Sequence, residues 1–153
     1  MSKTVKILIV EDDPLQVDLV CPALVQAFQK SEIKNITTEH EFRARLDEIS
    51  NDPPDVVVMD VMLRWTDPAP DMPVWPDEVA LEGHYFAGIR CSRLLAENTK
   101  TRHIPVILYT VLAEQDLDDF LRRSRHPQST VCFLQKNGEA EPLIQKIREL
   151  VHW

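Results

Sequence analysis

Hydrophobic positions along this chain come in two spacings. Dense apolar runs occupy Val5–Val10 (VKILIV), Asp55–Met59, Pro105–Thr110 (PVILYT) and Thr130–Leu134 (TVCFL), with a weaker run at Ile33–Thr38. Runs of this length, rich in β-branched residues, predict strands. Between them the apolar residues recur at helical spacing. Leu15, Leu19, Val20, Ala23 and Phe28 mark a helix over Pro14–Lys30, and Phe42, Leu46 and Ile49 mark one over Glu41–Ile49. Leu143, Ile144, Ile147, Leu150 and Val151 mark another over Glu139–Val151, and further helices fit Ala87–Asn98 and Ala113–Arg123. Asp13 suits the N-cap of the first helix with Pro14 at its first position. Pro22 falls inside that helix and is expected to kink or split it. Strands thus alternate with helices, and near-continuous apolar strands imply a parallel sheet covered on both faces, an α/β fold.

One stretch fits neither spacing. Arg64–Glu82 (RWTDPAPDMPVWPDEVALE) holds four prolines and two tryptophans and separates the third strand from its helix. Such connections usually take two to six residues, so this one reads as a long functional insertion. Trp65 and Trp75 are expected to be exposed there, as a lid over the adjacent strand end, a docking patch, or a surface loop whose rings pack locally.

Composition narrows the class. With 153 residues, 44% hydrophobic and 27% charged, residues 1–153 fit one globular domain. No apolar run reaches the ~20 residues of a spanning helix, and the N-terminus lacks a signal-peptide cleavage pattern. Cys21, Cys91 and Cys132 are scattered and odd in number, which speaks against a disulfide framework or zinc site and for a reducing cytoplasm. A net charge of -8 argues against nucleic-acid binding by this domain. The five histidines (His40, His84, His103, His126, His152) show no metal spacing. His84, after the insertion, reads as a solvated loop residue.

Charge within the apolar pattern is the informative exception. In VVVMDVML, Val56–Leu63, seven of eight residues are apolar and the eighth is Asp60. A lone carboxylate taken out of water needs a partner or a proton. In open parallel sheets, ligands bind outside the carboxyl ends of the strands. Those ends here read Glu11-Asp12-Asp13, Asp60, Thr110 and Gln135-Lys136. If strands one and three are neighbours, several carboxylates converge, and a hard divalent cation such as Mg²⁺ relieves their repulsion. Lysine and threonine at the same edge would complete a pocket for a phosphoryl group. Singly, each has an ordinary reading: Asp13 a helix cap, Asp60 a turn, Thr110 a strand end, Lys136 a solvated surface. Their joint occurrence at four strand ends is the specific signal.

These residues carry a family resemblance. KILIVEDDP, PDVVVMDVML, HIPVILYT and FLQK together resemble the receiver domain of two-component response regulators, over nearly the whole chain apart from Arg64–Glu82. The resemblance implies a flavodoxin-like, doubly wound five-stranded parallel sheet of order 2-1-3-4-5 with helices on both faces. It implies that Asp60 is the phosphorylated residue, that Asp12 holds Mg²⁺ directly and Glu11 through water, and that Met62 lends its backbone carbonyl. It further implies that Thr110 and Lys136 contact the phosphoryl group and that Thr110 and Phe133 form the switch. Phe133 by itself also reads as a core aromatic. The donor would be a sensor histidine kinase or histidine phosphotransfer protein, and the output face would meet a downstream protein or a second copy, with neither nucleic acid nor membrane as partner.

Two departures stand out. Asn137 follows Lys136 where the family usually has a cis proline, so a trans peptide and a different lysine placement are expected. Val111 follows Thr110 where a small residue is usual, and would narrow access to Asp60. Other readings remain: a binding module independent of phosphorylation, an Mg²⁺-dependent aspartyl-phosphate phosphatase, and a flavin protein of the same fold. The phosphatase needs a second aspartate where Met62 stands, and three glycines do not build a flavin phosphate loop. The chain ends directly after its last helix, as a stand-alone receiver or a piece of a longer protein.

Overall fold

Parity within the strands explains how this chain builds two cores around one sheet. In the computed structural model, which describes residues 3–123 and 131–153, the strands are β1 (Val5–Val10), β2 (Ser31–Ile36), β3 (Val56–Met59), β4 (Val106–Thr110) and β5 (Val131–Gln135). All pair in parallel, in the order β2-β1-β3-β4-β5. Successive strand side chains point to opposite faces. Leu8, Val10, Val57, Met59, Val106 and Leu108 therefore pack on one face, and Ile7, Ile9, Val56, Val58, Ile107 and Tyr109 on the other.

Helices α1 (Pro14–Ala27) and α7 (Glu141–Val151) cover the second face. The first face is covered by α2 (Glu39–Ala44), α3 (Leu46–Asn51), α5 (Ala87–Glu97) and α6 (Glu114–Arg123). A further short helix, α4 (Asp77–Glu82), precedes a 3₁₀ turn at His84–Phe86. The Asp13 side chain accepts from Leu15 N at 3.0 Å, and Pro14 opens α1.

Several boundaries differ from the sequence reading. Helix α1 is not split at Pro22 and ends at Ala27, leaving the fully buried Phe28 as its C-cap. The expected helix over Glu41–Ile49 is two, broken at Arg45, and starts earlier because Thr38 caps it through Glu41 N. The edge strand β2 begins two residues earlier than expected. Its burial alternates, with Glu32 and Lys34 exposed, and its apolar density is too low to mark the ends. The last six residues of the Arg64–Glu82 stretch are the helix α4. Thr130, expected to begin the last strand, and His126 lie outside the described residues.

Trp65 corrects the expectation of its own exposure, although most of the stretch around it is exposed. It is 8% exposed, its ring meets His40 edge to face at 5.3 Å, and its indole N–H donates to Pro73 O at 3.0 Å. Trp75 is half exposed, as expected. The main chain fixes the root of this stretch: Glu39 N donates to Arg64 O and His40 N to Trp65 O.

Candidate functional site

The sheet brings its charged residues to one edge. Parallel pairing of β1 with β3 aligns Val10 with Met59, so the residues just beyond, Glu11 and Asp60, emerge side by side. Asp60 N donates to Val10 O at 2.9 Å, and Glu11 N to Ile36 O at 2.9 Å. Glu11 and Asp60 are buried, and one oxygen from each of Glu11, Asp12 and Asp60 lies within 4.8 Å of the others. From β5, Lys136 Nζ donates to Glu11 Oε2 at 2.7 Å and to Asp60 Oδ2 at 3.3 Å. Lys136 N donates to Thr110 O at 2.8 Å, which fixes the end of β5 against β4.

Charge at this edge is unbalanced. One lysine faces two buried carboxylates, with Asp12 beside them. Burial, with Asp60 alongside, pushes the Glu11 carboxyl up to about 7 against the opposing pull of Lys136. Burial raises Asp60 too, opposed chiefly by Lys136. Burial works to lower the Lys136 ammonium, but Asp60 and Glu11 outweigh it and raise it. Asp60 Oδ1 is buried and has no hydrogen-bond partner among the described residues. A buried oxygen without a donor, inside a group of three carboxylates, is the environment a hard divalent cation suits.

The other expected site residues fall nearby with different standing. Among the described residues nothing donates to the Met62 carbonyl oxygen, and no hydrogen bond joins Thr110 to Asp60. The Thr110 hydroxyl is fully buried and accepts from Leu112 N at 3.3 Å. Phe133 is half-buried, opposite Leu108 in the β4–β5 register and against the larger core. The Lys136–Asn137 peptide is trans, yet Lys136 still reaches Asp60, contrary to the expected displacement. Val111 is 58% exposed.

Two further residues shape this edge and escape the sequence reading. Arg64 donates to Asp12 Oδ2 from its main-chain N at 3.2 Å and from Nε at 3.3 Å. Its Nη2 donates to Asp12 O at 3.1 Å. Gly88, at the start of α5, donates its N–H to Val61 O at 2.8 Å, and a Cβ there would lie 1.9 Å from Asp60 O. A glycine as the second residue of a helix is poor for helix formation, and that was the available signal of close backbone approach.

No protein-family model matches this sequence, and no curated protein matches it. Solved structures do. A phosphorylated cyanobacterial phytochrome response regulator shares 18% identity, over 97% of this chain and 91% of that chain, with a TM-score of 0.66. The receiver domain of a Pseudomonas aeruginosa sensor histidine kinase, with magnesium coordinated in its active-site cleft, shares 16% identity, over 99% of this chain and 100% of that chain, with a TM-score of 0.65. A bacteriophytochrome response regulator shares 23%, over 99% of this chain and 96% of that chain, with a TM-score of 0.67. The chain has the receiver fold. In this chain, the acids after β1, Asp60 after β3 and Lys136 after β5 share the carboxyl edge of the sheet. Among its described residues no helix is long and apolar enough to cross a membrane.

Proposed function

We propose that this protein is the phosphoacceptor receiver of a two-component phosphorelay, with Asp60 as the residue phosphorylated. The observation that carries the reading is the state of the Asp60 carboxylate. It is buried, one oxygen is held by Lys136, and the other, Oδ1, has no partner among the described residues and lies among acids. Glu11, Asp12, Asp60 and the Met62 carbonyl are the groups that would hold Mg²⁺, which supplies positive charge to the carboxylates and to a phosphoryl oxygen.

An Asp60 oxygen attacks the phosphorus of a phosphohistidine on a sensor histidine kinase or histidine phosphotransfer protein. The O–P bond forms as the N–P bond breaks, and the departing imidazole keeps the electron pair and takes up a proton. The protein's contribution is position and charge. Lys136 neutralises one phosphoryl oxygen, and the Thr110 hydroxyl turns from Leu112 N toward another. Phe133 then repacks into the space that Thr110 leaves, and the face built by α6, β5 and α7 changes its fit to a downstream protein or a second copy. Water later cleaves the acyl phosphate, so the protein assists its own phosphorylation and dephosphorylation without turning over a separate substrate. Met62 has no proton to donate where a phosphatase would place its acid. The three cysteines are scattered in sequence and odd in number, which supports a reducing cytoplasm.

Incubation with Mg²⁺ and acetyl phosphate, followed by intact-mass measurement, tests this. A phosphate-sized gain that disappears in Asp60→Asn is expected. No gain, or a gain that persists in that variant, leaves the protein as a binding module independent of phosphorylation, and steady turnover of a phosphomonoester makes it a phosphatase.

A further inference from the structure

The loop that carries the chain from β5 to α7 reads QKNGEAE, and Asn137 is the one asparagine of four in this chain that precedes a glycine. Asn137, Gly138 and Glu139 are all exposed. Asn137 Oδ1 accepts from Glu139 N at 3.0 Å. Such a turn holds the side-chain amide against the main chain of the two residues that follow. Gly138 has a φ of +83°, and among the described residues no atom lies within 4 Å of where its Cβ would stand. Its N–H donates to none of the described residues. The Gly138 nitrogen is therefore solvated, unhindered and uncommitted, and a bond from it to Asn137 Cγ closes a five-membered ring.

The other asparagines lack this combination. Asn98 makes the same turn, with Oδ1 accepting from Lys100 N at 2.9 Å, but its Nδ2 donates to Ser50 Oγ at 3.1 Å. Thr99, branched at Cβ, follows it and crowds the attacking nitrogen. Asn35 lies within β2, and its Nδ2 donates to Ile9 O at 3.0 Å. Asn51 ends α3, and the nitrogen after it, Asp52 N, donates to Glu48 O at 3.0 Å.

We propose that Asn137 is a site of spontaneous deamidation, with water as the only co-reactant, in the residue next to Lys136. Base removes the Gly138 amide proton, and the nitrogen attacks Asn137 Cγ. The N–Cγ bond forms as the carbonyl electron pair moves to Oδ1, where the Glu139 N–H stabilises the developing charge. The pair then returns, the Cγ–Nδ2 bond breaks, and the side-chain nitrogen leaves as ammonia with a proton from water. Water opens the resulting succinimide at either carbonyl, breaking one ring C–N bond and giving aspartate or isoaspartate. Lys136 N is held by Thr110 O, and its Nζ by Glu11 and Asp60. Aspartate adds a negative charge one residue from that lysine, and isoaspartate lengthens the main chain between Lys136 and α7 by one carbon. The modification does not depend on phosphorylation of Asp60.

Ageing of the full chain at 37 °C, at pH 6 and at pH 8, without Mg²⁺ or phosphodonor, tests this by peptide mapping and by isoaspartyl methyltransferase labelling. Amide loss at Asn137 to both products is expected, faster at pH 8 because the attacking nitrogen must lose its proton, while Asn98 keeps its amide. Asn137→Gln, which would have to close a six-membered ring, and Gly138→Ala, whose methyl crowds the attack, should each slow the loss about tenfold or more. An intact Asn137 over a period in which a synthetic peptide of residues 131–142 converts overturns the proposal. So does equal loss at Asn98 and Asn137, or an unchanged rate in Gly138→Ala. If Gly138→Ala fails to fold by circular dichroism, Asn137→Gln decides, and undiminished isoaspartyl labelling of that variant overturns it.

Discussion

Arg64 sits on Asp12, with its main-chain N–H and its Nε both donating to the same carboxylate oxygen, Oδ2. A guanidinium thus neutralises one of the three carboxylates proposed to hold Mg²⁺. The pair is half exposed on the arginine side, so it is worth under about 1 kcal/mol and weakens with salt. Arg64→Ala is expected to raise Mg²⁺ affinity by up to about fivefold at low ionic strength, with the gain shrinking in high salt. Calorimetric Mg²⁺ titrations at two salt concentrations check this. An unchanged affinity shows that the side chain does not compete with the cation.

Gly88 is the tightest contact behind the proposed phosphoacceptor. With a Cβ 1.9 Å from the Asp60 carbonyl, Gly88→Ala must shift either α5 or the Asp60 main chain. Backbone atoms cannot yield as a flexible side chain does, and overpacking costs about 1–3 kcal/mol or more. The variant is expected to lose that much stability in urea and to accept phosphate from acetyl phosphate more slowly. Gly138→Ala is the control. Among the described residues no atom lies within 4 Å of a Cβ at Gly138, although its positive φ strains the substitution. It should cost stability without the loss of phosphorylation.

Protons compete with the cation at this edge. The Glu11 carboxyl, ordinarily near 4.5, is pushed up to about 7 by burial and by Asp60, with Lys136 opposing. Between those values the metal-free folded chain holds a proton that the unfolded chain has released. Stability therefore falls as pH rises across that window. The raised Asp60 adds in the same direction. Mg²⁺ should reverse the trend, because it binds the deprotonated acids and displaces the proton. Thermal melts from pH 4.5 to 8, with and without Mg²⁺, check both signs, and Glu11→Gln should flatten the metal-free curve.

The sheet and the principal charges were legible because both follow from local pattern. Dense apolar runs mark β1, β3 and β4 within a residue, and the acids, threonine and lysine stand at the strand ends. β2 was misplaced because an edge strand buries alternate residues only. Trp65 was read as exposed because its partners, His40 and the Pro73 carbonyl, come from another element and from a turn within the stretch. Arg64 and Arg90 carry no periodic signature: one is an ordinary loop arginine in sequence, the other an ordinary charge in an amphipathic helix. Arg64's role arises when the Trp-rich stretch returns to Asp12 across 52 residues, and Arg90's when α5 packs on α2 and meets Glu39 across 51. Long-range ion pairs of this kind leave no trace in a single sequence.

That ion pair predicts where the fold is most easily broken. Glu39 is fully buried and holds two guanidiniums, Arg90 on both oxygens and Arg43 on one. Arg43 in turn reaches Glu78, next to the start of α4, so one carboxylate links α2, α5 and the helix of the Trp-rich stretch. Removing one member of a buried pair leaves an uncompensated charge and typically costs about 3–5 kcal/mol. Glu39→Gln is expected to destabilise by that much, because it leaves the buried Arg90 charge opposite an amide. Arg43→Ala should cost about 1 kcal/mol or less, since Glu39 keeps Arg90 and Arg43 is partly solvated. Urea unfolding of the two variants measures the difference, and hydrogen exchange locates it. Glu39→Gln should lose protection in α4 and α5 while α1 and α7, on the opposite face of the sheet, keep theirs. Equal costs would show that the network is held by its solvent-facing arginine rather than by its buried one.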